Sequence, residues 1–139
     1  MEITANTLQN VGVNQNVIFT ETAVCGNNSI IYREGSGLVT LRGITNQCRA
    51  RFKVFFSGNI AIPTGGTVGA ISLTVSIDGE PLPSTTMIVT PAAVNEFFNV
   101  STGVYLNVPA GCCSKIAVTN SSTQDIDVQN ANLIVERIA

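Results

Sequence analysis

The chain has 139 residues, 45% of them hydrophobic and only 12% charged, with a formal net charge of −2. That length holds one complete core but not two ordinary domains, and the hydrophobic fraction excludes an intrinsically disordered chain. The acidic balance argues against nucleic acid or an anionic membrane as partner, and no stretch is long and apolar enough for a transmembrane helix.

The kind of apolar residue matters more than the total. Val and Ile dominate, Trp is absent, and Thr, Asn, Ser and Gly fill the intervals. Branched side chains crowd a helix but pack well on a pleated surface, while Asn and Gly supply tight turns. Composition therefore favours an all-β chain.

Residues 1–14 are polar and weakly patterned, and read as an N-terminal arm or irregular lead-in to a single domain over residues 15–139. Met1-Glu2-Ile3-Thr4-Ala5-Asn6 lacks the basic and apolar regions of a secretory signal. With Met1 as the natural start, the expectation is synthesis in a cytoplasm and a later life outside, on a virion surface or otherwise extracellular.

The first strand candidate, 15–21, is followed by the loop Cys25-Gly26-Asn27-Asn28. A short strand over 30–33 turns through Glu34-Gly35-Ser36-Gly37 into 38–42. A long strand over 49–62 then places Ala50, Phe52, Val54 and Phe56 on one face and Arg49, Arg51 and Lys53 on the other. Three cations at period 2 are what a half-buried strand normally shows, so they read as a solvated or subunit-facing surface. Phe55 shares parity with the cations, which suggests a covered outer surface unless a bulge turns it inward.

Ile71, Leu73, Val75 and Ile77 alternate with Ser72, Thr74 and Ser76, and the strand ends at the hairpin signal Asp78-Gly79. Further strands are expected over 85–90, over 95–108 with an irregularity near Thr102-Gly103, over 116–120 and over 126–138. No segment combines helical period with caps, so no helix of consequence is expected. Ile62-Pro63-Thr64-Gly65-Gly66 and Val108-Pro109-Ala110-Gly111 echo one another, each joining two strands. The set suits two antiparallel sheets of Greek-key topology, a jelly-roll sandwich. In the closing strand, Ala131, Leu133 and Val135 share one face while Ile134 and Ile138 share the other. Both faces are therefore covered, either by another subunit or by a loop of the same chain.

Catalytic chemistry is hard to find. The chain contains no His, which removes the commonest general base and the usual Ser/His/Asp and Cys/His arrangements. No phosphate-cradling loop opens a helix. Asp125 and Asp127 are too few for a Ca²⁺ site and read as a solvated hairpin. Neither an enzyme nor a resident cofactor or metal is expected.

Cys25, Cys48, Cys112 and Cys113 are the chemically interesting set. Antiparallel strands reverse at each turn, which places all four at one end of the sandwich. Three readings stand. Disulfides staple that end, which life outside the cell favours; a thiolate site binds Zn²⁺, although no CxxC knuckle is present; or all four are small buried apolar groups. The first is preferred.

The order of elements also carries a resemblance. A long Arg/Phe-rich strand, Pro-x-Gly-Gly, an alternating strand ending in Asp-Gly, a Val-Pro-Ala-Gly turn, an Ile-Ala-Val-Thr-Asn strand and a closing apolar strand follow in turn. This resembles the tumour-necrosis-factor-like jelly roll, the fold of complement globular heads. It is most similar to small versions in bacterial collagen-like surface proteins and in bacteriophage or prophage virion proteins. Segments 48–62, 67–82 and 108–120 carry most of the likeness, which extends over 15–138. The resemblance implies a homotrimer around a threefold axis, displayed outside a particle or cell. It departs from the family in lacking a collagen-like stalk and in having four cysteines.

Expected interface residues are therefore Phe52, Phe55 and Phe56 on the aromatic strand, with Leu133, Ile134, Val135 and Ile138 on the closing strand. The leading functional expectation is a structural or display protein of a virion: a capsid decoration, head fibre or tail component, with a capsid or tail protein as further partner. The alternatives are a head that binds a host receptor or glycan, and a spore or cell-surface coat protein. Only two Tyr and six Phe are available to stack on sugars.

Overall fold

The computed structural model describes residues 1–139 and contains twelve strands and a single 3-10 turn, Pro83–Thr85. In chain order these are β1 (Glu2–Ala5), β2 (Gln9–Val11), β3 (Glu21–Val24), β4 (Ile30–Tyr32), β5 (Val39–Arg42) and β6 (Arg49–Ala61). There follow β7 (Ile71–Ile77), β8 (Glu80–Pro81), β9 (Met87–Val89), β10 (Phe98–Pro109), β11 (Cys113–Asn120) and β12 (Ile126–Arg137). They form two antiparallel six-stranded sheets. One has the order β10-β6-β12-β1-β3 with β2 also on β12; the other has β4-β5-β11-β7-β8 with β9 also on β7. The expected all-β jelly-roll sandwich is the observed fold.

β6 shows why the sheets face each other. Ala50, Phe52, Val54 and Phe56 are sealed from solvent, while Arg49, Arg51 and Lys53 are exposed. The same alternation puts Leu106 and Val108 of β10, Ile71, Leu73 and Val75 of β7, and Ile116 and Val118 of β11 into one continuous core. Phe19 sits at its aromatic centre, edge-on to both Tyr32 and Phe56. β6 and β10 pair in constant register from Phe98↔Ile60 to Pro109↔Arg49. The irregularity expected near Thr102-Gly103 is therefore absent: Gly103 simply occupies an outward position in an unbroken ladder.

The irregularity lies in β12 instead. Between Gln129↔Asn59 and Asn132↔Ser57, β12 spends one residue more than β6. Asn130 takes up the excess in a left-handed conformation, φ 55. This bulge switches the inward parity from Ile126 and Val128 to Ala131, Leu133 and Val135, all buried.

The N-terminal segment corrects the sequence reading most plainly. Residues 1–14 are not a lead-in: β1 is an interior strand of its sheet, pairing β12 from Glu2↔Ile134 to Ala5↔Ala131, and β2 continues along β12 from Gln9↔Val128. The gap between β1 and β2 lies opposite the β12 bulge. Ile3, Ala5 and Val11 are core residues, so three short apolar contacts, too sparse for a visible period, bind the segment. Conversely, the expected strand over 15–21 is divided: residues 15–17 run along β11, with Val17 N–H donating to the Val118 carbonyl at 2.8 Å, while the Thr20 N–H donates to the Thr4 carbonyl of β1 at 3.0 Å.

The two Pro-Gly echoes fold alike. The Gly66 N–H donates to the Pro63 carbonyl (2.9 Å), and the Cys112 N–H donates to the Pro109 carbonyl (3.0 Å). In each turn the third residue, Gly65 or Gly111, has positive φ, as a type II turn requires.

Candidate functional site

The outer face of the β10-β6-β12-β1-β3 sheet is where the expected interface can be tested residue by residue. Phe52, Phe56, Leu133 and Val135 lie inside the sandwich of a single chain, with essentially no accessible surface. Their even or odd parity aims them at the opposite sheet, so they contribute core packing and cannot contact a second subunit. Phe55, Ile134 and Ile138 are different: all three are exposed, Phe55 at 37% and Ile134 at 36%. No bulge in β6 turns Phe55 inward.

The register brings the first two together. Phe55 stands opposite Ile134 on one side and Gly103 on the other. Gly103 leaves the Phe55 ring uncovered on that flank, since even a Cβ there would lie 3.7 Å from Phe55 Cδ2. One row along, Lys53 stands between Tyr105 and Glu136, with Tyr105 largely exposed. On the other side of Ile134 comes Glu2, then Val24, also exposed. The next row holds Ser101, Ser57, Asn132 and Thr4. Asn132 Nδ2 donates to the Glu2 carboxylate at 2.6 Å, while Asn132 Oδ1 is buried with no hydrogen-bond partner. The face is thus an apolar pair within a polar surround, on the sheet side that points away from the core. Sequence reasoning missed Tyr105 and Val24; knowing which strands flank β6 and β12 would have found them.

The cysteine-bearing end is built by interlocked turns. The Ala110 N–H donates to the Cys48 carbonyl (3.0 Å), and the Gly43 N–H donates to the Cys112 carbonyl (2.8 Å). Gly43 is required there, because a Cβ would lie 2.1 Å from the Pro109 carbonyl oxygen. Cys113 stands opposite Arg42 in the β5–β11 ladder. The loop after Cys25 docks on the same arginine, whose N–H donates to the Ser29 carbonyl (2.7 Å) and whose Nη1 donates to the Asn28 carbonyl (3.2 Å). Arg137 Nη1 adds a bond to Ser29 Oγ at 2.9 Å. Backbone connections therefore gather the four positions at one pole. All four thiols are free and exposed. The expected staple is not formed in this structure, and the buried-apolar alternative fails because all four side chains are exposed.

Two further sequence features have ordinary surroundings. Asp127 Oδ1 accepts from Asn10 Nδ2 at 3.2 Å, within the β2–β12 pair. Tyr32, counted among the scarce aromatics, is a structural group: its hydroxyl bonds to the carbonyls of Phe19 and Ser36. Burial, with a smaller contribution from the nearby Glu34 carboxylate, outweighs the opposing effect of the Phe19 backbone bond and holds its pKa above the ordinary phenol value.

No protein-family model matches the sequence, and a search of curated proteins finds no match. Solved structures do match. The globular domain of a zebrafish complement 1qA protein aligns with a TM-score of 0.63 at 14% identity, over 96% of this chain and 93% of that one. The Eiger tumour necrosis factor of S. frugiperda aligns at 0.67 and 12% identity, over 100% and 92%. Murine APRIL aligns at 0.60 and 9% identity, over 95% and 96%. At such identities the likeness shows the fold: this chain has the jelly roll shared by the tumour necrosis factor and complement globular-head structures.

Proposed function

We propose that this chain is a non-enzymatic display protein that assembles as a homotrimer through the outer face of the β10-β6-β12-β1-β3 sheet. The observation that carries the reading is the cross-strand Phe55–Ile134 pair, each residue still more than a third exposed on the outer face of the sheet. Apolar area removed from water contributes roughly 25 cal/mol per Å², so a second copy on this face gains from the pair and from Tyr105 beside it. The resemblance of the chain to trimeric jelly rolls supports three copies around an axis. Its likeness to small virion jelly rolls supports carriage outside a phage or prophage particle, as a capsid decoration, head fibre or tail component.

The test is a pair of substitutions, Ile134→Asp and Phe55→Glu, read by sedimentation velocity and circular dichroism. Each puts a charge where a partner would have to bury it, at a cost of several kcal/mol if unpaired. The expected result is a folded chain shifted from trimer to monomer. A folded chain whose mass does not change contradicts the assembly face. Proteomics of particles purified from the source addresses display: stoichiometric recovery supports it, and a chain found only in a cell wall or spore coat contradicts it.

A further inference from the structure

The opposite sheet carries a feature that assembly does not use. On its outer face, Thr74 and Ser76 of β7 point away from the core, yet only 2% and 7% of their surfaces are accessible. They form part of the floor of a groove of about 430 Å³. Ala117 and Thr119 of β11 continue that floor, Asn14, Asn16 and Leu38 stand on one side, and Gly79 and Pro81 on the other.

Its polar groups are organised. Ser76 Oγ lies 3.0 Å from Thr119 Oγ1, which donates to Asn16 Oδ1 at 2.8 Å. Thr74 Oγ1 lies 2.9 Å from Ser121 Oγ, which lies 2.7 Å from Ser72 Oγ. Thr74 Oγ1 also donates to Thr86 Oγ1 at 3.2 Å. With Asn16 Oδ1 used as an acceptor, its Nδ2 has no protein partner. A hydroxyl both donates and accepts, so this lining can exchange its internal bonds for bonds to a ligand that does the same.

The chemistry narrows the occupant. Only two of the twelve lining residues are hydrophobic, yet the hydroxyls bond chiefly to one another and the accessible lining is more apolar than polar, so a matching ligand offers C–H faces as well as hydroxyls. No carboxylate lines the groove and Lys115 is its one charged group, so neither a metal ion nor a multiply charged anion is matched. The groove lies across a paired sheet face, where ladder N–H and C=O groups are already engaged, so a peptide strand has no edge to join. The volume falls in the usual range for small-molecule sites, about 300–1,000 Å³. We infer that this groove binds a neutral saccharide of one or two rings, its hydroxyls meeting Asn16, Ser76, Thr119 and Ser121 while Leu38 and Pro81 flank its C–H surfaces. Being on the sheet opposite the Phe55–Ile134 face, the site stays open whether or not the chain assembles, and it does not rest on the trimer.

The experiment is an array of neutral mono- and disaccharides probed with the full chain, followed by titration of the best binder into ¹⁵N-labelled protein. The expected result is binding, with amide shifts concentrated at Asn16, Thr74, Ser76, Ala117, Thr119 and Ser121. Ala117→Leu, which fills the floor, and Asn16→Ala, which removes a wall amide, should each lower affinity at least tenfold with an unchanged circular dichroism spectrum. Should Ala117→Leu fail to fold, Asn16→Ala decides alone. No binding on the array, shifts confined to another surface, or undiminished affinity in a folded variant would overturn the proposal.

Discussion

Tyr32 shows how much one polar atom can do at the border of an apolar core. Its ring packs edge-on to Phe19 while its hydroxyl bridges the loop carbonyls of Phe19 and Ser36. Both carbonyls sit in this backbone network already, since Phe19 O accepts from Gly35 N–H and Ser36 O from Phe19 N–H. Tyr32→Phe should therefore lower unfolding free energy by only about 1 kcal/mol, measured by urea denaturation near neutral pH. The pH dependence carries a sign. Because the folded state holds the Tyr32 pKa above its unfolded value of about 10, the contribution is complete below that pH and lost as pH rises through the folded value. The alkaline loss of stability should shrink in Tyr32→Phe; an identical alkaline limb in the two proteins would contradict the assignment. The cysteines make a second residue-scale prediction. Four exposed free thiols should all react with a thiol reagent in the native protein without prior reduction. Two or fewer reactive thiols would mean that the end is stapled after all. The sequence placed these residues at one pole by strand reversal alone, but their redox state depends on side-chain directions in turns, which strand periodicity does not encode.

At the scale of the element, strands with strict alternation were legible and those defined by partners were not. β6, β7 and the Asp78-Gly79 hairpin follow from period 2 and from a turn that needs positive φ at both central residues, as Asp78 and Gly79 show. β1 and β2 were invisible because each offers only one or two apolar residues, and their place is fixed by β12 across a separation of more than a hundred residues. The bulge at Asn130 was equally hidden, although its trace stands in the text: inward residues are even-numbered before it and odd-numbered after it. Asn130→Gly should cost less than about 0.5 kcal/mol, because glycine adopts positive φ freely, whereas Asn130→Val should cost about 1–3 kcal/mol. Equal melting temperatures for the two variants would remove the conformational argument. The same strand separates core from candidate interface in neighbouring residues. Leu133→Ala should destabilise each chain by about 2–5 kcal/mol, read as a lower urea midpoint. Ile134→Asp should leave the isolated chain folded. Reversed outcomes would mean that the strand faces had been misassigned.

For the whole molecule, two sheets with different outer faces give the chain two separable surfaces. One presents an apolar pair within a polar surround, the other a hydroxyl-lined groove. Phe55 and Ile134 could be recognised in the sequence because each breaks the parity of its strand. Phe52, Phe56, Leu133 and Val135 are not their companions, because a strand in a sandwich divides its residues between two environments and these four face the core. The groove is not legible in the sequence, where Thr74 and Ser76 have the pattern of plain solvent-facing residues, and only the packing of Asn16, Thr86 and Pro81 around them makes a concavity. Assembly through the Phe55–Ile134 face is tested most directly by light scattering after gel filtration, with and without reductant. A mass near three chains in both conditions is the predicted result, with non-covalent packing through Phe55 and Ile134 holding the particle together. A single-chain mass in both conditions would contradict it and leave the exposed pair without a role.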